Sequence, residues 1–284
     1  MSDPELDDAP RPPGDPGFSD ALTFSFADPE GTVCGVARLG LSDGGASGLV
    51  MLFRDGEQLT VLADGEGTPG AAWDEVRAAG LATETPAAGG WALRGTGDVP
   101  FDLRFDPVGP PLVLDASSAV GRAGGMEGFD HVCRVSGTFG GAAFAGMGQR
   151  GRSWGAPDWE RMTLARTVTA WFDDDHAFSA LAIRPARASS HAEEAVTAFL
   201  LDGGPRDVAE ARLSTTYDAQ ERQRAAGLEI LLGPEEEFPR RLAGEVVAGS
   251  SLDLGRLRLD CAFFRWRWDG RTGSGRYDVL RRTG

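Results

Sequence analysis

Two catalytic patterns overlap in one glycine-rich segment, residues 146–159, which reads GMGQRGRSWGAPDW. Its first part fits the dinucleotide-binding fingerprint G-x-G-x-x-G, and its second part fits the nucleophile pattern G-x-S-x-G around Ser153. Both patterns act only where a strand turns directly into a helix. Gly155 and Pro157 oppose a helix at this place. We therefore interpret both matches as coincidences of glycine spacing.

Three side chains near this segment are candidate proton donors: Asp130, His131 and Asp158. His131 is the best candidate of the three, because the pKa of histidine lies near neutrality.

The same segment supplies candidate ligand contacts. Arg150 or Arg152 could reach a carboxylate or hydroxyl of a ligand, and tryptophans could cover it. A structural role is the alternative, because Arg150 and Asp158 are separated by a tight turn and could form an ion pair that locks two parts of the fold. The candidate ligand-binding residues are Arg150, Arg152, Ser153, Trp154, Trp159, Trp171 and Trp266.

The elements that must position these residues are mainly β-strands. Residues 99–106 and 257–261 alternate apolar and polar side chains, which is typical of strands with one buried face. Gly-Gly and Asp-Gly pairs, which favour two-residue hairpin turns, follow at Asp55, Asp64, Gly140, Asp202 and Asp269. Phe263 and Phe264 break the alternation and predict a β-bulge. Residues 71–80 and 218–226 are the best candidates for short helical turns, and residues 112–128 for a crossover.

Composition limits the possible functions. The 284 residues carry a net charge of −15, which opposes binding to nucleic acid or to anionic membranes. Every one of the 28 cationic side chains is arginine, so no lysine Schiff base can form. Cys34, Cys133 and Cys261 are too far apart for a C-x-x-C metal or redox motif. The aspartate run 173–175 before His176 resembles a hairpin tip more than a calcium loop. We expect no metal and no cofactor.

The N-terminus lacks the basic and apolar regions of a signal peptide, and no apolar run is long enough to span a bilayer. These features predict a cytoplasmic protein without stable membrane insertion; the oligomeric state stays open. We expect a disordered tail over residues 1–17, rich in Pro, Asp and Gly, and two β-rich halves, residues 18–145 and 146–284.

Residues 129–284 resemble the hydroxyneurosporene synthase (carotenoid hydratase) and AttH-like superfamily. The segment matches its signature at Gly146, Gly148, Arg150, Ser153, Trp154, Gly155, Asp158 and Trp159. Residues 129–138 and the pair of motifs Trp268-Asp269-Gly270 and Gly275-Arg276-Tyr277 resemble two of its strands. The resemblance implies an all-β fold of two tandem lipocalin-like antiparallel barrels or half-barrels.

The chain departs from that signature where an acid–base pair would otherwise be expected. Gly151 replaces an acidic residue and Arg152 replaces a histidine; Asp130 stands for a glutamate and His131 for a glutamine. The resemblance implies a site for a hydrophobic molecule such as a terpenoid, a lipid or a polyketide-like chain. Two functions stay open. The first, which the resemblance implies, is proton-driven hydration, isomerisation or cyclisation of this molecule, which needs an acid in a dry cavity and tryptophan faces that could stabilise a carbocation. The second is a non-catalytic lipid carrier or sensor that has lost the acid–base residues.

Overall fold

The computed structural model describes residues 9–11, 16–86, 90–188, 190, 193–233 and 238–283. Within these ranges the chain forms nineteen β-strands and one short helix, so the predicted all-β class is confirmed. The predicted tail, residues 1–17, lies mostly outside the described residues. In the described part of the chain, no helix is long and apolar enough to cross a membrane.

The first sheet has ten antiparallel strands, and most follow one path in the order β4-β3-β2-β1-β10-β9-β7-β6-β5, with β8 paired to β9. The helix α1 (Ala119–Gly124) precedes β9. The strands are β1 (Ser19–Ala27), β2 (Val33–Ser42), β3 (Gly45–Arg54), β4 (Glu57–Gly67), β5 (Leu81–Glu84), β6 (Trp91–Gly95), β7 (Phe101–Pro107), β8 (Leu112–Leu114), β9 (Met126–Phe139) and β10 (Ala142–Gly155).

The second sheet has nine antiparallel strands in the order β14-β13-β12-β11-β19-β18-β17-β16-β15. They are β11 (Met162–Asp173), β12 (His176–Pro185), β13 (Ala195–Asp202), β14 (Pro205–Asp207), β15 (Glu210–Tyr217), β16 (Gln223–Leu231), β17 (Arg240–Asp253), β18 (Leu257–Trp268) and β19 (Arg271–Arg282).

The two sheets repeat one topology. In each, the first strand in sequence pairs with the last, β1 with β10 and β11 with β19, and the remaining strands follow outwards as meanders. Each sheet curls into a half-barrel, so the prediction of two tandem halves is confirmed. Position 145, where the sequence predicts the join, lies inside β10; the sheet changes between Gly155 and Met162. The join comes later in the chain than position 145 because residues 146–155 belong to β10, the strand that completes the first sheet.

Turn chemistry explains several hairpins. The tight turn between β3 and β4 has positive φ angles at Asp55 (53°) and Gly56 (81°). The turn between β18 and β19 has them at Asp269 (47°) and Gly270 (77°), as two-residue hairpin turns of this kind require. Asp64-Gly65 lies inside β4 and makes no turn. Residues 71–80 form bends, short hydrogen-bonded turns and isolated bridges, but no regular helix. Residues 218–222 form the β15–β16 loop.

Apolar side chains form three main cores. The first core fills the first half-barrel around Phe24, Phe26 and Phe105, and the second core fills the second half-barrel around Phe264 and Trp266. The middle core lies between the sheets; its buried members are Ala27, Cys34, Val36, Leu49, Met51, Phe53, Val132, Trp171, Ala177, Ala248, Cys261 and Phe263. Each fully buried large side chain contributes about 1.5–3 kcal/mol.

The central strands are therefore apolar on both faces. Phe263 faces the middle core and Phe264 the second core, as neighbours in a regular strand do. The predicted bulge in β18 is wrong, because β18 pairs with β19 without a register shift. The extra residue is Val247 of the partner strand β17.

Candidate functional site

Residues 146–155 of the signature segment, which spans residues 146–159, form the C-terminal part of β10, and this strand lies between β1 and β9. Both catalytic patterns therefore lie within one extended strand, with no helix directly after it. Because successive side chains of a strand point to opposite faces, Arg150, Arg152 and Trp154 face the first core. Gln149 and Ser153 face the second sheet. The strand thus divides the candidate residues between two environments.

Arg150 and His131 share the inside of the first half-barrel. The guanidinium of Arg150 lies 4.3 Å from the ring centroid of Trp91 and 5.0 Å from that of Phe129. The His131 ring lies 5.3 Å from Trp91, and both His131 and Arg150 are buried. This is a packed cation–π arrangement. No sequence pattern indicated that Trp91 would contact Arg150 and His131.

Arg152 forms a buried ion pair with Asp20. Its Nη2 lies 2.8 Å and its Nε 3.2 Å from the two carboxylate oxygens, and both side chains are almost completely inaccessible. Such a pair is stable only when both groups are well bonded. The partner acid is 132 positions away in the chain, so sequence spacing could not reveal it.

A short N-terminal segment, residues 9–11, covers this ion pair. The Arg152 Nη2 also donates to the Ala9 carbonyl at 2.6 Å, and the Arg11 amide donates to Asp20 at 2.8 Å. The Arg11 guanidinium lies 4.0 Å from the Trp154 ring centroid. Arg152 and Trp154 are thus engaged by the chain itself.

Asp130 lies on the opposite face of β9 from His131, towards the second sheet. Its carboxyl is hydrogen-bonded by the Gln149 side chain, whose Oε1 accepts from the Trp171 indole at 3.3 Å. Burial raises the pKa of Asp130, against the lowering effects of the Gln149 bond and of Arg276 and Arg150. Trp171 is fully buried in the middle core and supports this contact.

Two further arginines lie between the sheets. Arg38 donates from Nη1 to the Thr23 hydroxyl at 3.0 Å, and the Nε of Arg276 lies 3.2 Å from Asp278. Burial lowers the pKa of Arg38, and the nearby charge of Arg276 lowers it further. Sequence reasoning missed both, although Arg38 interrupts an otherwise apolar strand.

Asp158 and Trp159 lie in the connection between the sheets. The exposed Asp158 carboxylate accepts from the Glu160 amide at 3.0 Å, whereas Arg150 is buried among aromatic rings. The ion pair suggested for Arg150 and Asp158 does not match these positions. Trp159 packs against the small apolar cluster of Val120, Met162 and Ile183. The structure therefore separates Asp130, His131 and Asp158 instead of assembling one acid site.

Trp266 is fully buried in the second core and stacks on Phe264 at 5.3 Å. Ser153 is half-buried on the middle face of β10. Neither residue lines the large cavity described next, and neither does any other residue that the sequence singled out as a candidate.

A cavity of about 680 Å³ opens inside the second half-barrel, between strands β11–β13 and β15–β16. Ten of its fifteen lining residues are aliphatic, and the other five are charged or polar. The lining residues are Arg166, Val168, Ala180, Ala182, Glu194, Val196, Thr197, Ala198, Val208, Ala209, Glu210, Ala211, Arg212, Leu213 and Leu228. Small side chains at alternate strand positions leave this space. In the sequence, a strand that lines a cavity shows the same alternation as a strand that packs into a core, so the pattern does not reveal the cavity.

A polar group lies on one wall of this cavity. Arg166 is ion-paired with Glu194, and Arg184 holds the same carboxylate at 2.7 Å. Arg166 also donates to the Tyr277 hydroxyl at 3.4 Å, which lies 2.7 Å from the Thr215 hydroxyl. Burial raises the pKa of Tyr277 to about 12. The group combines two arginines, one carboxylate and a neutral phenol.

Among the residues that the structure describes, no cluster of three or more His, Cys, Asp or Glu side chains could hold a metal ion. The Asp173–His176 turn is the tip of the β11–β12 hairpin. There, the Asp173 carboxylate accepts from the Asp175 amide at 2.9 Å and lies 2.7 Å from the His176 ring.

The fold has solved relatives. A protein assigned as AttH from Nitrosomonas europaea matches with a TM-score of 0.67 at 13% identity, over 94% of this chain and 93% of that one. CghA in complex with Sch210972 matches with a TM-score of 0.63 at 12% identity, over 94% and 89%. Kievitone hydratase from Nectria haematococca matches with a TM-score of 0.62 at 12% identity, over 92% and 88%.

At these identities the likeness concerns the fold alone, and it confirms the resemblance to AttH-like proteins. No curated protein matches the sequence. One family model, described as a domain of unknown function, DUF7064, matches residues 4–283. Since this match covers nearly the whole chain, the protein belongs to the DUF7064 family.

Proposed function

We propose that this protein binds an apolar small molecule in the cavity of the second half-barrel. The observation that carries this proposal is the 680 Å³ space, in which ten of the fifteen lining residues are aliphatic. Its size falls within the range of about 300–1,000 Å³ that is typical of small-molecule sites, and a few polar groups among apolar walls are also typical of them. The ligand class is a terpenoid, a lipid or a polyketide-like chain.

The relatives support this class without specifying it. One solved structure with this fold contains Sch210972, and another is named as a hydratase of kievitone. The net charge of −15 favours a partner of this class over nucleic acid. A cytoplasmic location stays a prediction.

The test is binding of the neutral dye N-phenyl-1-naphthylamine, followed by its fluorescence. Ala211 lines the cavity, so Ala211→Trp should fill part of it and weaken binding by at least tenfold. Ala145→Trp, on an exposed position of the first sheet, is the matched control and should bind as the unmodified protein does. Equal binding by all three proteins would contradict the proposed site.

Asp130 supports a second candidate function, proton-driven addition to an apolar alkene. Its raised pKa favours a protonated carboxyl closer to neutral pH, and the Gln149 bond fixes its position. Incubation with acyclic terpenoids in deuterium oxide should then produce deuterated products by mass spectrometry. Asp130→Asn should abolish this labelling. Labelling that persists in the variant would exclude acid catalysis by Asp130, and ligand binding without any labelling would favour a carrier or sensor.

A further inference from the structure

One donor of a side chain that lines the cavity is not used by the protein. Arg166 is 4% exposed and lines the cavity. Its terminal nitrogens bond Glu194 and Tyr277, but its Nε is buried and has no hydrogen-bond partner among the described residues. A buried donor without a partner is costly, so an acceptor in the cavity would be favoured.

We infer that the ligand is an apolar molecule with one neutral oxygen acceptor, a ketone or hydroxyl oxygen, that receives a hydrogen bond from the Nε of Arg166. The inference rests on the proposed function, because it names the polar end of the same ligand. The aliphatic wall around Val168, Ala182 and Leu228 then holds the apolar body.

Charge favours a neutral oxygen over a carboxylate. The cavity lining contains two arginines and two glutamates, paired as Arg166 with Glu194 and Arg212 with Glu210, so the charges of the lining balance. Arg184 also pairs with Glu194 but does not line the cavity, and the Glu194 side chain is only 2% exposed. A ligand carboxylate at Nε would lie close to this carboxylate in a poorly solvated place, where like charges repel strongly. The phenol of Tyr277 stays protonated and adds no charge.

The substitution Arg166→Lys isolates the donor. Lysine has a methylene group where arginine has the Nε–H, and it keeps the positive charge that faces Glu194. Arg212→Lys is the matched control, because Arg212 also lines the cavity but its Nε already donates to Glu210 at 2.7 Å. Indane, 1-indanone and indane-1-carboxylate share one ring system and differ in the polar group.

The affinities of the three compounds are measured by displacement of N-phenyl-1-naphthylamine. We expect the ratio of indanone to indane affinity to fall about tenfold in Arg166→Lys, which is about 1.4 kcal/mol, and to stay constant in Arg212→Lys. The carboxylate should bind the unmodified protein more weakly than the ketone. An unchanged ratio in Arg166→Lys, or tighter binding of the carboxylate, would overturn the inference and leave the proposed function standing.

A second measurement needs no variant. The infrared carbonyl stretch of 1-indanone bound to the unmodified protein should lie at lower wavenumber than in an alkane, as a hydrogen bond requires. A stretch at the alkane value would overturn the inference even if Arg166→Lys fails to fold. If no indane derivative and no dye binds at all, the proposed function fails and the inference with it.

Discussion

The Oδ1 atom of Asp130 lies 2.3 Å from the point where a Cβ atom on Gly151 would be. The two residues are paired across strands β9 and β10. The missing side chain of Gly151 therefore provides the space that the Asp130 carboxyl occupies. The glycine that interrupts the family signature thus has a direct structural partner.

Gly151→Ala should destabilise the protein by about 1–3 kcal/mol, the usual cost of overpacking. The φ angle of Gly151 is not in the left-handed region, so the cost arises from contact with Asp130 and not from the backbone. Urea denaturation measures the effect. In an Asp130→Ala background the same change should cost much less. An equal cost in both backgrounds would show that the two residues are not coupled.

Asp130 should make stability depend on pH. Burial raises its pKa in the native state, whereas in the unfolded chain it titrates near pH ~3.9. Native protein therefore binds the proton more tightly, and the stability that Asp130 contributes is greatest below about pH 4 and falls as the pH rises through the native pKa. The stability of Asp130→Asn relative to the unmodified protein should then increase with pH above about 4. Urea titrations at several pH values test this; a constant difference would contradict it.

The buried pair of Asp20 and Arg152 should be strongly coupled. Removal of one partner, by Asp20→Asn or Arg152→Met, leaves a buried charge and should cost about 3–5 kcal/mol. The double substitution should cost clearly less than the sum. Arg241→Ala, which breaks the exposed pair with Glu229, serves as a control and should cost no more than about 1 kcal/mol. Additive costs for the buried pair would contradict the coupling.

The three cysteines should be unreactive in the native protein. Cys34, Cys133 and Cys261 are buried, and burial raises the pKa of each thiol, that of Cys133 to about 12. Thiolate, the reactive form, is then scarce at neutral pH. Reaction with a disulfide reagent should proceed only after denaturant is added. Fast reaction of any of them in native buffer would be inconsistent with their burial.

Local patterns carried much of the architecture. Three patterns were sufficient to predict the all-β class and the two tandem halves. They are the two-residue periods, the Asp-Gly pairs at Asp55 and Asp269, and the family signature. The same period also implies that Asp130 and His131 point to opposite faces of one strand, which separates them chemically. The position of the sheet change after Gly155 depends on pairing between β1 and β10, which are distant in sequence.

The candidate site was harder to predict because its contacts are long-range. Asp20 meets Arg152 across the sheet, and Arg166 meets Tyr277 through a separation of 111 residues. The cavity also arises from small side chains such as Ala198 and Ala211, which carry no chemical signal of their own. Tryptophans drew attention in the sequence, yet Trp171 and Trp266 serve the packing of cores.

The middle core has a consequence for how the molecule folds. Because Cys34 and Phe53 of one sheet pack with Trp171 and Phe263 of the other, neither half could be produced alone without exposing an apolar face that promotes aggregation. Unfolding should therefore occur in one cooperative transition, and damage at this contact should reduce the amount of both halves together in the cell.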